Sequence, residues 1–116
     1  MRRVVITGIG LISPLGCNVE KVWADILASK SGIKKLANDN LKDIPVKIAG
    51  MVPWGDDDDN MFNPTRYMPF KEIKRHDSFL LYGIGAGSEA LEDAGWNAEK
   101  ISEEEKERAG ILMGSG

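Results

Sequence analysis

Apolar positions run along the chain in three rhythms, and each predicts a different element. Val4, Val5 and Ile6 form an uninterrupted β-branched run with no polar alternation, and Ile111, Leu112 and Met113 repeat it near the other end. Such runs read as strands buried on both faces. Val19, Val22, Trp23, Ile26 and Leu27 fall at i, i+3, i+4, i+7 and i+8. That stripe predicts an amphipathic helix over residues 19–31, with Trp23 in the core. Asn18 is its N-cap and Gly32 its C-terminal stop. Lys21 holds the third helical position, so no capping box forms. Val46, Ile48, Gly50 and Val52 alternate with Lys47, Ala49 and Met51, which predicts a strand over 46–52, ended by Pro53. Residues 33–45 are polar and read as loop.

A second helix is expected over residues 78–94, capped by Asp77. Leu80, Leu81, Ile84, Leu91 and Ala94 supply its bulk, while Gly83, Gly87 and Ala90 form a groove of small residues. A glycine inside a helix costs about 1 kcal/mol relative to alanine, so the groove predicts another element pressed closely against it. Ser102 with Glu105 forms a capping box for a short helix through Arg108. Together these elements give an α/β piece: a mixed sheet with strands at 3–7, 46–52 and 109–113 and with helices covering it. The runs at 3–7 and 109–113 are expected to be neighbours, because both are apolar and both feed glycine turns. The second of these turns, Gly114-Ser115-Gly116, closes the sequence where a domain would continue, so residues 1–116 read as an N-terminal fragment.

Composition narrows the function classes. At 42% hydrophobic and 28% charged, with no repeat, the chain is globular. Its net charge of −3 favours neither nucleic acid nor an anionic membrane as a global partner. No apolar run approaches membrane-spanning length and no secretory signal opens the chain. A single cysteine excludes an internal disulfide and suits a reducing cytoplasm, and one cysteine with one histidine makes a poor metal set.

Four stretches carry candidate chemistry. The turn Thr7-Gly8-Ile9-Gly10 supplies two of the three glycines of a dinucleotide fingerprint, but Ser13 holds the third position and Pro14 offers no N–H to a pyrophosphate. Cys17 sits near a helix N-terminus, which favours a thiolate, yet no histidine neighbours it in sequence. Residues 56–59 are four consecutive aspartates, without the alternating spacing of a calcium loop, and read as a mobile, solvated surface loop. Lys71, Lys74 and Arg75 share one side of a helical turn, just before Asp77.

The opening Arg2-Arg3, Val4-Val5-Ile6, Thr7-Gly8-Ile9-Gly10 and Ser13-Pro14-Leu15-Gly16 resembles that of the β-ketoacyl-acyl carrier protein synthases. The Ser-Pro pair is more similar to the type II enzymes. Ser31-Gly32-Ile33, Asp77-Ser78-Phe79, Tyr82-Gly83-Ile84, residues 90–95 and the final Gly-Ser-Gly match in order, and residues 37–65 match least. The resemblance implies a thiolase-like fold, of which residues 1–116 would be the N-terminal part of the first half, cut before the nucleophile. It implies fatty-acid chain elongation by decarboxylative Claisen condensation, in a cytoplasmic homodimer that needs no cofactor. It places no catalytic residue in this chain: neither Cys17 nor His76 matches one. It does align Lys71, Lys74 and Arg75 with basic residues that dock the acidic recognition helix of acyl carrier protein. A non-catalytic homologue of the chain-length-factor type is the alternative within the family, and a dinucleotide-binding domain the alternative outside it.

Overall fold

The structure is a computed structural model that describes residues 1–36, 43–97 and 99–114. The chain divides into two compact units, Ile12–Asn63 and Met1–Leu11 with Pro64–Gly116.

The Ile12–Asn63 unit is built on α1 (Val19–Leu27) and a two-stranded antiparallel ribbon, β1 (Ile33–Lys35) and β2 (Ile48–Gly50), in which Lys34 faces Ala49. Asn18 caps α1 as its sequence predicts, accepting a hydrogen bond from the Lys21 N–H at 3.0 Å. The helix ends four residues early. Ser29 takes the left-handed conformation, φ 55°, and turns the chain before Gly32 is reached. The apolar stripe is wider than the core it serves: Val22 is buried, whereas Trp23 is 59% exposed and Leu27 69%. Trp23 is therefore a surface residue of this unit, against expectation. Phe62 is its most buried large side chain, with Trp54 edge-on at 4.9 Å between ring centroids. The expected strand at 46–52 shortens to β2. Its partner β1 lies in the stretch read as loop, because Ile-Lys-Lys has no alternation and acquires strand character only through pairing. Residues 37–42 of that stretch lie outside the described residues.

The second unit is organised on α3 (Ser78–Asp93). Asp77 occupies the N-cap position by its extended backbone, but its side chain makes no capping bond. At the other end Gly95 turns the chain with φ 69°. A 3₁₀ turn (Pro64–Arg66) and α2 (Phe70–Ile73) precede α3. α4 (Glu103–Glu107) follows it, with the Ser102–Glu105 capping box formed in both directions. Each small-residue ridge of α3 receives a segment from elsewhere in the unit. Met113 lies over Gly83, where an added Cβ would come within 2.8 Å of its sulfur. Gly8 and Gly10 lie against the Ala86–Ala90–Ala94 ridge, and a Cβ on Gly10 would sit 2.0 Å from the Ala86 carbonyl oxygen. The Ile9 N–H donates to Asp93 at 2.8 Å, tying the turn to the helix end.

The predicted mixed sheet is not present among the described residues. Residues 3–7 and 109–113 form no ladder, and β1–β2 is the only sheet among the described residues. A strand exists only where a second backbone accepts its hydrogen bonds. No described strand pairs with residues 4–6, and Val4 and Ile6 are 94% and 83% exposed. The two runs do share α3 as a neighbour, through Gly8–Gly10 on one ridge and Met113 on the next. Of the closing Gly-Ser-Gly turn, Ser115 and Gly116 lie outside the described residues.

Candidate functional site

The three predicted basic residues come together on the short helix α2 and the turn after it. Pro69 starts the helix with φ already helical, and its carbonyl accepts from the N–H groups of Glu72 and Ile73. The Arg75 and His76 N–H groups bond to the Glu72 and Ile73 carbonyls and continue the turn. Lys71, Lys74 and Arg75 thus follow helical spacing, as expected, and all three are exposed. They are not equivalent. Lys71 stands on α2 and is exposed. The Lys74 ammonium lies 4.8 Å from the centroid of the Phe70 ring, itself 62% exposed. The Arg75 guanidinium reaches Glu72 at 3.4 Å, across two exposed side chains. A pair so exposed holds the guanidinium by well under 1 kcal/mol and leaves it available to a better acceptor.

Electrostatically, Lys71, Lys74 and Arg75 place three exposed positive side chains within one short stretch, with the Glu72 carboxylate beside Arg75. His76 is exposed beside it and hydrogen-bonds only through its backbone N–H among the bonds described. The i,i+4 relation of Phe70 and Lys74 is visible in the sequence, although the contact between them is not.

Cys17 is packed inside its unit. It is 3% exposed, and its backbone N–H donates to Asn60, to the side-chain Oδ1 and the main-chain carbonyl, each at 3.1 Å. Asn60 is the residue that sequence reasoning missed. Its Oδ1 also accepts from the Asn18 N–H at 2.9 Å, and its Nδ2 donates to the Leu15 carbonyl at 2.9 Å. The aspartates before it are exposed, as expected, but two of them are tethered. Asp58 binds Lys21 at 2.8 Å and accepts from the Asn60 N–H, while Asp59 meets both Lys21 and Asn18. The Lys21 ammonium, with help from the Asn60 N–H, holds the Asp58 carboxyl far below its usual range, and Asp58 and Asp59 in turn raise Lys21. The run is a brace at the start of α1. No group of three acidic, cysteine or histidine side chains suited to a metal occurs among the described residues.

The two glycines of the opening turn have a structural explanation. The space beside their α-carbons is filled by the backbone of α3, so glycine is required there by helix contact. In a dinucleotide fold that close approach is kept for a pyrophosphate.

Comparison with known proteins shows the family. The profile of the family described as beta-ketoacyl synthase, N-terminal domain, matches residues 1–116. A 3-oxoacyl-[acyl-carrier-protein] synthase 2 of Rhizobium meliloti is 44% identical across all of this chain, which covers 27% of that protein. The protein of the same name from Vibrio cholerae is 38% identical over 99% of this chain and 25% of its own length. Among solved structures, the ishigamide ketosynthase/chain length factor superposes on 88% of this chain with a TM-score of 0.68 and 28% identity, and 24% of that chain is covered. The chain thus spans about a quarter of the length of the relatives it matches, and over its whole length it belongs to the beta-ketoacyl synthase family, matching the N-terminal domain.

Proposed function

We propose that residues 1–116 are the opening portion of a type II β-ketoacyl-acyl carrier protein synthase, a cytoplasmic homodimer of thiolase-like fold. The full-length enzyme extends fatty-acyl chains by condensing acyl- with malonyl-acyl carrier protein. The observation that carries this reading is the match over the whole chain to a 3-oxoacyl-[acyl-carrier-protein] synthase 2 at 44% identity. The chemistry asks for a thiolate of lowered pKa to hold the acyl group and for aimed donors at the enolate oxygen. With Cys17 buried and His76 exposed at the surface, this chain supplies neither, so the catalytic residues lie in the rest of the parent. The bare runs at residues 4–6 and 111–113 then become strands of a sheet completed there.

The part this chain plays is recognition. Lys71 on α2 and Lys74 and Arg75 on the turn after it are all exposed, where an acidic helix can meet them. Substitution of all three by glutamate in the full-length enzyme replaces attraction with repulsion. The apparent KM for carrier-linked substrate should rise at least about tenfold, with the difference shrinking as salt screens the surface. An acyl-pantetheine substrate, which lacks the carrier protein, should react almost unchanged. Unchanged kinetics on both substrates would refute the docking role, and equal losses on both would point to damaged folding.

The chain-length-factor reading keeps the fold and the docking face without the chemistry. Identity to the synthases exceeds that to the ketosynthase/chain length factor structure, 44% against 28%. Acyl transfer to a cysteine of the full-length protein separates the two directly.

A further inference from the structure

We infer that Phe70 is a positioning residue of the docking face, holding Lys74 in place to receive a carboxylate of the acidic partner helix. The inference rests on the docking role proposed above and goes further, because it ranks the three cations and adds an aromatic residue to them. The Lys74 ammonium lies 4.8 Å from the Phe70 ring centroid, within the range at which a ring face attracts a cation. The ring is 62% exposed, so it serves the core little. Phe70 opens α2 and Lys74 follows at i+4, one turn along the same face, so helical geometry itself sets the pair.

The consequence for binding is one of order. A lysine in open solvent gives up rotamer freedom when it docks, and that loss subtracts from affinity. The ring has already restricted Lys74, and it covers only one side of the ammonium. The other side keeps its donors for an incoming carboxylate. Lys71 lacks such a support and loses more freedom on docking. Arg75 is only loosely held by Glu72 at 3.4 Å and has no ring beneath it, so it too gives up freedom on docking. Lys74 should therefore dominate the three, and should do so only while an aromatic ring stands at position 70.

Kinetics of the full-length enzyme on acyl-carrier protein and on acyl-pantetheine test this. Lys74→Ala should raise KM for the carrier-linked substrate about threefold, more than Lys71→Ala or Arg75→Ala does. Phe70→Leu and Phe70→Ala should each cost about the same, while Phe70→Tyr, which keeps a ring face, should stay near the parent. The double variant Phe70→Leu/Lys74→Ala should be no worse than either single one, since both remove the same interaction. Wild-type behaviour of Phe70→Leu, or additive losses in the double variant, would overturn the inference. So would a loss shared equally by acyl-pantetheine, because the ring would then serve the fold. If the triple glutamate variant is impaired and the Phe70 variants are not, docking stands and only this inference falls. If the triple variant is unimpaired, the docking role itself is lost.

Discussion

The removal of one side chain, Asn60→Ala, tests the account of the Ile12–Asn63 unit most sharply. The amide joins three backbone groups that are 42 to 45 residues away: the N–H groups of Cys17 and Asn18 and the Leu15 carbonyl. Truncation does not orphan all three. Cys17 N–H keeps its second acceptor, the main-chain carbonyl of residue 60. Asn18 N–H and the Leu15 carbonyl lose the partner shown here, in part-buried surroundings. Two such groups at about 1 kcal/mol each give a loss of about 2 kcal/mol. With a typical urea dependence for a small protein, the denaturation midpoint should fall by about 1 M. Hydrogen exchange supplies the local readout: the Asn18 amide should lose protection while the Cys17 amide largely keeps it. Asn60→Asp retains the acceptor and loses the donor, so it should fall between the two. A midpoint unchanged within error, with the Asn18 amide still protected, would refute the reasoning.

Gly10→Ala forces a methyl group into the α3 backbone, which cannot yield as a side chain would. It should cost about 3 kcal/mol and lower the melting temperature by about 10 °C, read by thermal denaturation. Asp58 titrates below its ordinary value of 3.8 in the folded protein, so its contribution to stability is complete above that value and is lost as pH falls toward the folded one. Acid titration of the fold should therefore show a steeper limb below about pH 4 for the parent than for Asp58→Asn. Cys17→Ser in the full-length enzyme should leave chain elongation close to that of the parent. A hundredfold loss with folding intact would make the buried thiol a participant after all.

What the sequence reveals tracks the distance over which each interaction acts. The cap at Asn18 and the Ser102–Glu105 box are legible because donor and acceptor lie three residues apart. α3 is legible from its length, although the Asp77 side chain does not cap it. β1 is not legible, since Ile-Lys-Lys becomes a strand only when β2 arrives to pair with it. Asn60 is invisible for a similar reason: its three partners lie more than forty residues away, and a lone asparagine after four aspartates looks like a turn. The runs at 3–7 and 109–113 stand apart, since neither forms a ladder among the described residues. Their composition is that of buried strands, but composition cannot supply the neighbouring backbones that make a ladder. For the candidate site, spacing alone grouped Lys71, Lys74 and Arg75, and resemblance to a family gave them a partner. The different tethers of Lys74 and Arg75 required side-chain geometry.

The contact of Gly8 and Gly10 with α3 also acts as a register check. In an extended segment, residues two apart face the same way, so both glycines meet the helix while Ile9, between them, points away and is half exposed. A slip by one residue would bring Thr7 or Ile9 against a surface that has no room for a Cβ, and the misplaced arrangement would be rejected on contact. Residues 4–6 lie immediately upstream, so their facing is fixed at the same moment. Such proofreading matters most for a β-branched run with no polar residue to mark its two sides, the kind of segment most prone to mispairing. The helix contact thus decides which way the two sides of the run are turned.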